Sequence, residues 1–132
     1  MLHSSKPNPD DRYVRGQRAL AEIDGAAGQA VIDALADIAP DFARYVLEFP
    51  FGDIYSRPGL DLRSREIATI AALAALGNAA PQLKVHIRAG LNVGLTQAEI
   101  VEILIQMAVY AGFPAAPNGL FAAREVFASK PA

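Results

Sequence analysis

Between Leu83 and Ile100 the chain reads LKVHIRAGLNVGLTQAEI. The stretch carries an imidazole, a guanidinium and a carboxamide, from His86, Arg88 and Asn92, where the pattern otherwise ends one helix, turns at glycine and starts another. The only other histidine, His3, stands in a polar N-terminal stretch, so any imidazole chemistry falls to His86. A histidine has an ordinary pKa near 6.5, and both of its protonation states are accessible at neutral pH. Leu83, Ile87 and Leu91 form the apolar stripe of this helix, which puts His86 at its edge, one turn from Gly90. Two readings follow: an acid-base histidine bordering a small pocket beside the missing side chain of Gly90, or a core-edge histidine that is merely hydrogen-bonded.

The other polar candidates also have two readings each. Glu66 is the last polar side chain before an apolar run, so it is either an inward acid or a solvated carboxylate favoured by the helix dipole. Arg57, Arg63 and Arg65 surround the turn RPGLDLRSRE, where they can bind carboxylates or form an ion-pair network with Asp61 and Glu66. Asn92 fits a C-terminal cap, and Gln106 and Tyr110 share a stripe with Glu102 that suggests light burial. The absence of cysteine removes disulfides, thiolate nucleophiles and thiolate-held metals. One usable histidine speaks against a metal centre or a Ser-His-acid triad, and neither GAAG nor GNAAPQLK has the lysine register of a phosphate loop.

These residues must be positioned by helices, because no alternating strand pattern and no solenoid repeat appears. Residues 1–9 are expected to be a flexible tail and residues 10–132 one helical domain. Asp10 or Asp11 can cap a first helix to about Ile23, with DGAAG breaking it. Val31, Leu35 and Ile38 then recur at helical spacing up to Pro40. A third helix, with Phe42, Tyr45, Val46 and Phe49 on one side, is expected to be interrupted at Pro50 and Gly52. Asp61 can cap a fourth helix that ends at Gly77, and its Ile67–Leu76 portion is apolar all round, so it needs neighbours on every side, another subunit included. Pro81 suits the first turn of the next helix. Thr96 and Glu99 form a capping box for a helix with Ile100, Ile103, Leu104, Met107 and Ala108 inward, and Gly112 and Pro114 separate it from the last one. The expected fold is an all-α bundle of six or seven helices.

Composition excludes several function classes. With 52% hydrophobic and 20% charged residues and a net charge of −2, the chain reads as an ordinary globular protein. Its lysines and arginines are scattered, so no nucleic-acid partner is expected. The polar N-terminus is no signal peptide, and the longest apolar run, residues 67–77, is about half a bilayer span, so no membrane role is expected and a cytoplasmic location is the default.

Two long segments, IYSRPGLDLRSREIATIAALAALG and HIRAGLNVGLTQAEIVEILIQMAVYAGFPAA, closely resemble the carboxymuconolactone decarboxylase family of the alkylhydroperoxidase D-like superfamily. The resemblance runs from about residue 40 to the C-terminus. The most telling segments are the His86-x-Arg88-Ala89 to Asn92-x-Gly94 run, the Thr96-x-x-Glu99 cap and VYAGFPAA. It implies an all-α fold, homo-oligomers such as trimers or hexamers, and in the decarboxylase branch a lyase of aromatic-compound catabolism that uses no cofactor. The other branch relays protons from a Glu and a His to a Cys-x-x-Cys. Asn78, Ala79, Pro81 and Gln82 lie where those thiols would be, which excludes the peroxidase reaction.

What the resemblance implies here is the conversion of 4-carboxymuconolactone to 3-oxoadipate enol-lactone and CO2. The electrons left by the departing carboxylate run into the unsaturated lactone as a dienolate, which needs a stabilised oxyanion and one proton. His86 would donate that proton or hydrogen-bond the enolate oxygen, and Glu66 would set its tautomer. Arg57 or Arg88, with Asn92, would bind the carboxylate or lactone substrate. The open alternatives are a sibling cofactor-free decarboxylase, isomerase or lyase on another carbonyl compound, and a non-catalytic oligomeric binding protein.

Overall fold

The structure, a computed structural model, describes residues 11–129, and the expected flexible tail, residues 1–9, lies outside the described residues. Among the described residues there are seven α-helices and no strand. They are α1 (Arg12–Ile23), α2 (Gly25–Ala36), α3 (Pro40–Val46), α4 (Leu62–Leu76), α5 (Ala80–Asn92), α6 (Gln97–Tyr110) and α7 (Ala115–Ala128).

The ends of these helices follow local chemistry. Asp11 accepts a hydrogen bond from the Tyr13 N–H at the start of α1. Asp61 does the same for the Ser64 N–H at the start of α4, and Gly77 ends that helix in the left-handed region with φ 75°. Thr96 Oγ1 accepts from the Glu99 N–H while Glu99 Oε1 accepts from the Thr96 N–H, which completes the capping box of α6. Arg63 pairs with that same Glu99 and ties the first turn of α4 to the start of α6.

At Pro50 the structure departs from expectation. Instead of stopping, the chain continues from α3 as a π-helical segment, Leu47–Tyr55, with Pro50 inside it. A proline breaks an α-helix because it has no N–H and its ring collides with the carbonyl four residues back. The wider π winding moves the carbonyl ladder to i→i+5, so the helical path survives the proline in another register. The segment lies against α1 at very short range. A Cβ placed on Gly16 would come 1.9 Å from the Leu47 carbonyl oxygen, and one on Gly52 would come 2.2 Å from that of Arg12. Only hydrogen fits at either position.

Buried residues form two cores. One joins α4, α5, α6 and α7 through Ile70, Ala74, Leu83, Ile87, Ile100, Leu104 and Val126. The other joins α1, the π segment and α5 through Leu20, Ile23, Leu47, Phe51 and Ala89. Helix α5 serves both, with Leu83 and Ile87 facing one and Ala89 facing the other. At 100° per residue His86 falls on the boundary between those faces.

Large apolar side chains remain exposed on this chain. Ile38, Phe42, Tyr45 and Phe49 are exposed, so of the apolar side expected for the third helix only Val46 packs against the core. Leu76, Val109, Tyr110, Phe113 and Phe121 are exposed as well, and Tyr110 and Gln106 are open to solvent rather than lightly buried. In α4 Ile70 and Ala74 are buried while Ala68, Ala72, Ala75 and Leu76 are not, so this chain covers only part of its apolar helix.

Candidate active site

Glu66 lies in the second turn of α4 with no exposed surface, the largest polar side chain to be fully buried among the described residues. Its carboxylate accepts from His86 of α5, with Nδ1 3.0 Å from Oε2 and 3.4 Å from Oε1. A carboxylate only accepts, so Nδ1 carries the proton and the outer nitrogen, Nε2, is the acceptor of a neutral ring. Burial works to lower the imidazole pKa. The Glu66 hydrogen bond and charge, with a smaller contribution from Asp24, outweigh it, and the net shift is upward.

The third polar group is Asp24, which the sequence suggested only as part of a helix-breaking DGAAG. It stands at the corner between α1 and α2, and Gly25 makes the turn with φ 59°, a region that disfavours any side chain. The Asn92 carboxamide of α5 donates to the Ile23 carbonyl at 3.0 Å and pins this corner against the helix that carries His86. Asp24 is 4% exposed, and its Oδ1 has no hydrogen-bond partner. Burial pushes its carboxyl up to about 6, with His86 pulling down and Glu66 pushing up. One oxygen or nitrogen from each of Asp24, Glu66 and His86 lies within 4.8 Å of the others. That spacing allows a shared proton or a shared divalent cation.

Tyr55 stands on the π segment against α4. Its hydroxyl is 2.6 Å from Thr69 Oγ1, and Thr69 donates to the Arg65 carbonyl, so the phenol is tied to α4 one turn from Glu66. Burial, then the nearby Glu66 charge, pushes the phenol up to about 12, and it stays protonated at neutral pH.

His86 and Asp24 open on a cavity of about 480 Å³. Leu20, Val31, Leu35, Phe42, Val46 and Phe51 make most of its wall, and Gln82 adds an amide. This is not the small pocket expected beside Gly90. There the Ile70 and Leu95 methyls already come within 3.1 Å of where a Cβ would stand, so core side chains fill the space. Periodicity could place His86 at an edge, but not decide which edge was left open.

The structure brings Glu66 and His86 together and places the other expected site residues elsewhere in the chain. Arg88 donates to the Val126 carbonyl at 2.8 Å and to Ser129 Oγ, holding the end of α7. Asn92 braces the α1–α2 corner. Arg57 lines a separate cavity of about 500 Å³ with Arg15, Arg18, Tyr55 and Asp61. Asp24 was not singled out from the sequence. The only signal was an acid at a helix junction, where a cap is the ordinary explanation.

The model of the carboxymuconolactone decarboxylase family matches residues 40–125. The chain belongs to that family. It is 36% identical over 121 residues to 4-carboxymuconolactone decarboxylase of Acinetobacter baylyi, which covers 91% of this chain and 90% of the relative. It is 33% identical over 116 residues to an uncharacterised 15.0 kDa protein of Paracoccus denitrificans, covering 87% of each. A shorter match, 36% over 70 residues, joins 52% of the chain to 48% of nitrosuccinic acid decarboxylase of Metarhizium robertsii. Family membership and the all-helical fold agree with the resemblance seen in the sequence, and the decarboxylase names of two relatives support decarboxylation as the type of reaction. Among the described residues no helix is long and apolar enough to cross a membrane.

Proposed function

We propose that this protein is a cofactor-free decarboxylase of activated carboxylates, with 4-carboxymuconolactone as its substrate and 3-oxoadipate enol-lactone and CO2 as products. The observation that carries this reading is the hydrogen bond between the fully buried Glu66 and the half-buried His86, which stands in the wall of an apolar cavity. In this reading the C–C bond to the carboxylate breaks and its electron pair enters the conjugated lactone as a dienolate. Glu66 holds Nδ1–H and fixes the ring, so that Nε2 faces the reacting groups, where it hydrogen-bonds the oxyanion when protonated or helps return a proton to carbon. The apolar wall favours the step because a carboxylate loses solvation as its charge spreads into the ring.

The substrate's remaining carboxylate needs a cation. Arg88 is committed to the end of α7 and Asn92 to the α1–α2 corner. Of the arginines expected to bind substrate this leaves Arg57, which lines the neighbouring cavity. A homo-oligomer of trimeric or hexameric order fits the large apolar side chains left uncovered on α3, α6 and α7. A cytoplasmic setting belongs to the same reading.

A second substrate is supported by the fungal relative's name. Nitrosuccinic acid also places its departing carboxylate next to a group able to take the electron pair, so the same His86–Glu66 pair would serve it. The test supplies both compounds to the wild type and to His86→Ala, following CO2 release together with oligomer size and helicity. Lactone turnover that drops by about 10²–10⁴-fold in a folded variant is the expected result. Turnover of nitrosuccinate alone reassigns the substrate, and turnover of neither removes the decarboxylase reading.

A further inference from the structure

The His86–Glu66 pair leaves one buried carboxyl unexplained. Asp24 is nine-tenths buried, lines the cavity beside His86, and has an oxygen, Oδ1, without a hydrogen-bond partner. A buried charge with an unsatisfied acceptor is costly, and such groups persist where they serve a function or where a proton neutralises them. Nothing in the wall neutralises Asp24 by a fixed charge. Behind the wall Glu66 on α4 is a second acid and Tyr55 on the π segment keeps its proton, and in the wall itself α1 and α2 present Leu20, Val31, Ile32 and Leu35. His86 on α5 is the one cationic partner, and Glu66 already holds its Nδ1.

We propose that Asp24 is the acid of this site: its carboxyl carries a proton beside His86 and delivers it to the lactone ring carbon next to the carbonyl. This rests on the decarboxylase reading and divides the labour within it. As the C–C bond breaks, its electron pair enters the conjugated lactone, and His86, protonated on both nitrogens, donates its Nε2–H to the resulting oxyanion. The Asp24 O–H then breaks, its proton forms the new C–H bond, and Asp24 remains as carboxylate. Water returns one proton by way of His86, so that one proton is consumed for each CO2 released. The incoming substrate primes the acid, because its negative charge in the same apolar cavity makes ionisation of Asp24 harder still. The raised carboxyl pKa of the free protein is in line with this role.

The test has an arm that needs no substrate. Carbon-13 NMR of the aspartate carboxyls in the full chain, compared with Asp24→Asn, should show a carboxyl titrating near 6 that the variant lacks. On the lactone, Asp24→Asn should lose at least about 100-fold in kcat while keeping oligomer size, and Asp24→Glu should recover part of it. In the wild type, kcat should fall as pH rises past the Asp24 titration, and the residual rate of Asp24→Asn should lack that limb. An Asp24 that titrates near 4, or an Asp24→Asn protein with full turnover, overturns the proposal. So does turnover that a chelator abolishes and Mn2+ or Zn2+ restores, since the trio would then be holding a cation. If the wild type consumes neither the lactone nor nitrosuccinate while a carboxyl still titrates near 6, the decarboxylase reading has failed and takes the acid's role with it. If Asp24 titrates near 4 and the lactone is consumed, the decarboxylase stands and only this proposal falls.

Discussion

Replacing Asp24 by Asn should stabilise the protein at neutral pH and not in acid. The carboxyl rises from an ordinary 3.8 to about 6 on folding, about two pKa units. At 1.36 kcal/mol per unit, keeping the charged form buried costs the folded state about 3 kcal/mol. With the folded-state pKa raised, the folded protein holds the proton more tightly than the unfolded chain does. Below pH 3.8 the carboxyl is protonated in both states and there is no penalty. The penalty opens as pH rises from there and is complete above about 6. Asparagine has the same shape and no titration, so the stability of Asp24→Asn minus that of wild type should grow by about 2 kcal/mol between pH 4 and pH 7, the rest of the penalty being present already at pH 4. Other carboxylates are common to both proteins and largely cancel in that difference. Urea unfolding followed by loss of helical circular dichroism measures it, at one protein concentration because subunit association would shift both midpoints. Two stability curves that run parallel from pH 4 to pH 7 would show that Asp24 keeps an ordinary carboxyl in the fold and refute the reasoning.

Four further outcomes are expected. Glu66→Gln removes the hydrogen-bonded charge that holds the His86 pKa up and leaves the burial that lowers it, so the imidazole should titrate below its ordinary value by proton NMR; a still-raised pKa would put the cause elsewhere. His86 in the wild type stabilises the fold below pH 6.5 and loses that contribution as pH climbs through its raised folded pKa, a decline that Glu66→Gln should abolish. Gly16→Ala forces a methyl against the Leu47 carbonyl and should cost about 3 kcal/mol in urea unfolding, with the α1–π contact refuted as rigid if the midpoint is unchanged. Thr96→Ala removes half of the α6 capping box and should cost about 1 kcal/mol without altering turnover, measured by the same two assays.

The local signals were legible because each acts over a few residues. Asp11, Asp61 and Thr96 cap the helices they were expected to start, and Gly77 closes α4. These are choices between a side chain and its own backbone, and no distant residue changes them. Pro50 is the instructive exception. A proline removes a donor wherever it stands, but whether the chain then stops or widens into a π turn depends on the contact with α1 through Gly16 and Gly52. The resemblance, carried by residues from Ile54 to Ala116, likewise pointed to the family whose model matches residues 40–125.

The sequence by itself determined an all-helical chain, the helix ends, the exclusion of thiol chemistry and a single histidine able to act. Tertiary structure decided what that histidine faces. Glu66 is 20 residues from His86 and meets it only because α4 packs on α5. Asp24 is further away still, and it joins them because Gly25 turns the chain and Asn92 holds the turn against α5. The space at Gly90 closed under Ile70 and Leu95, while the open cavity formed on the side of α2 and α3. Hydrophobic periodicity records which face of a helix is buried. It does not record which buried faces meet, and the proton chemistry of this site depends on the charges that such meetings bring within a few ångströms of each other.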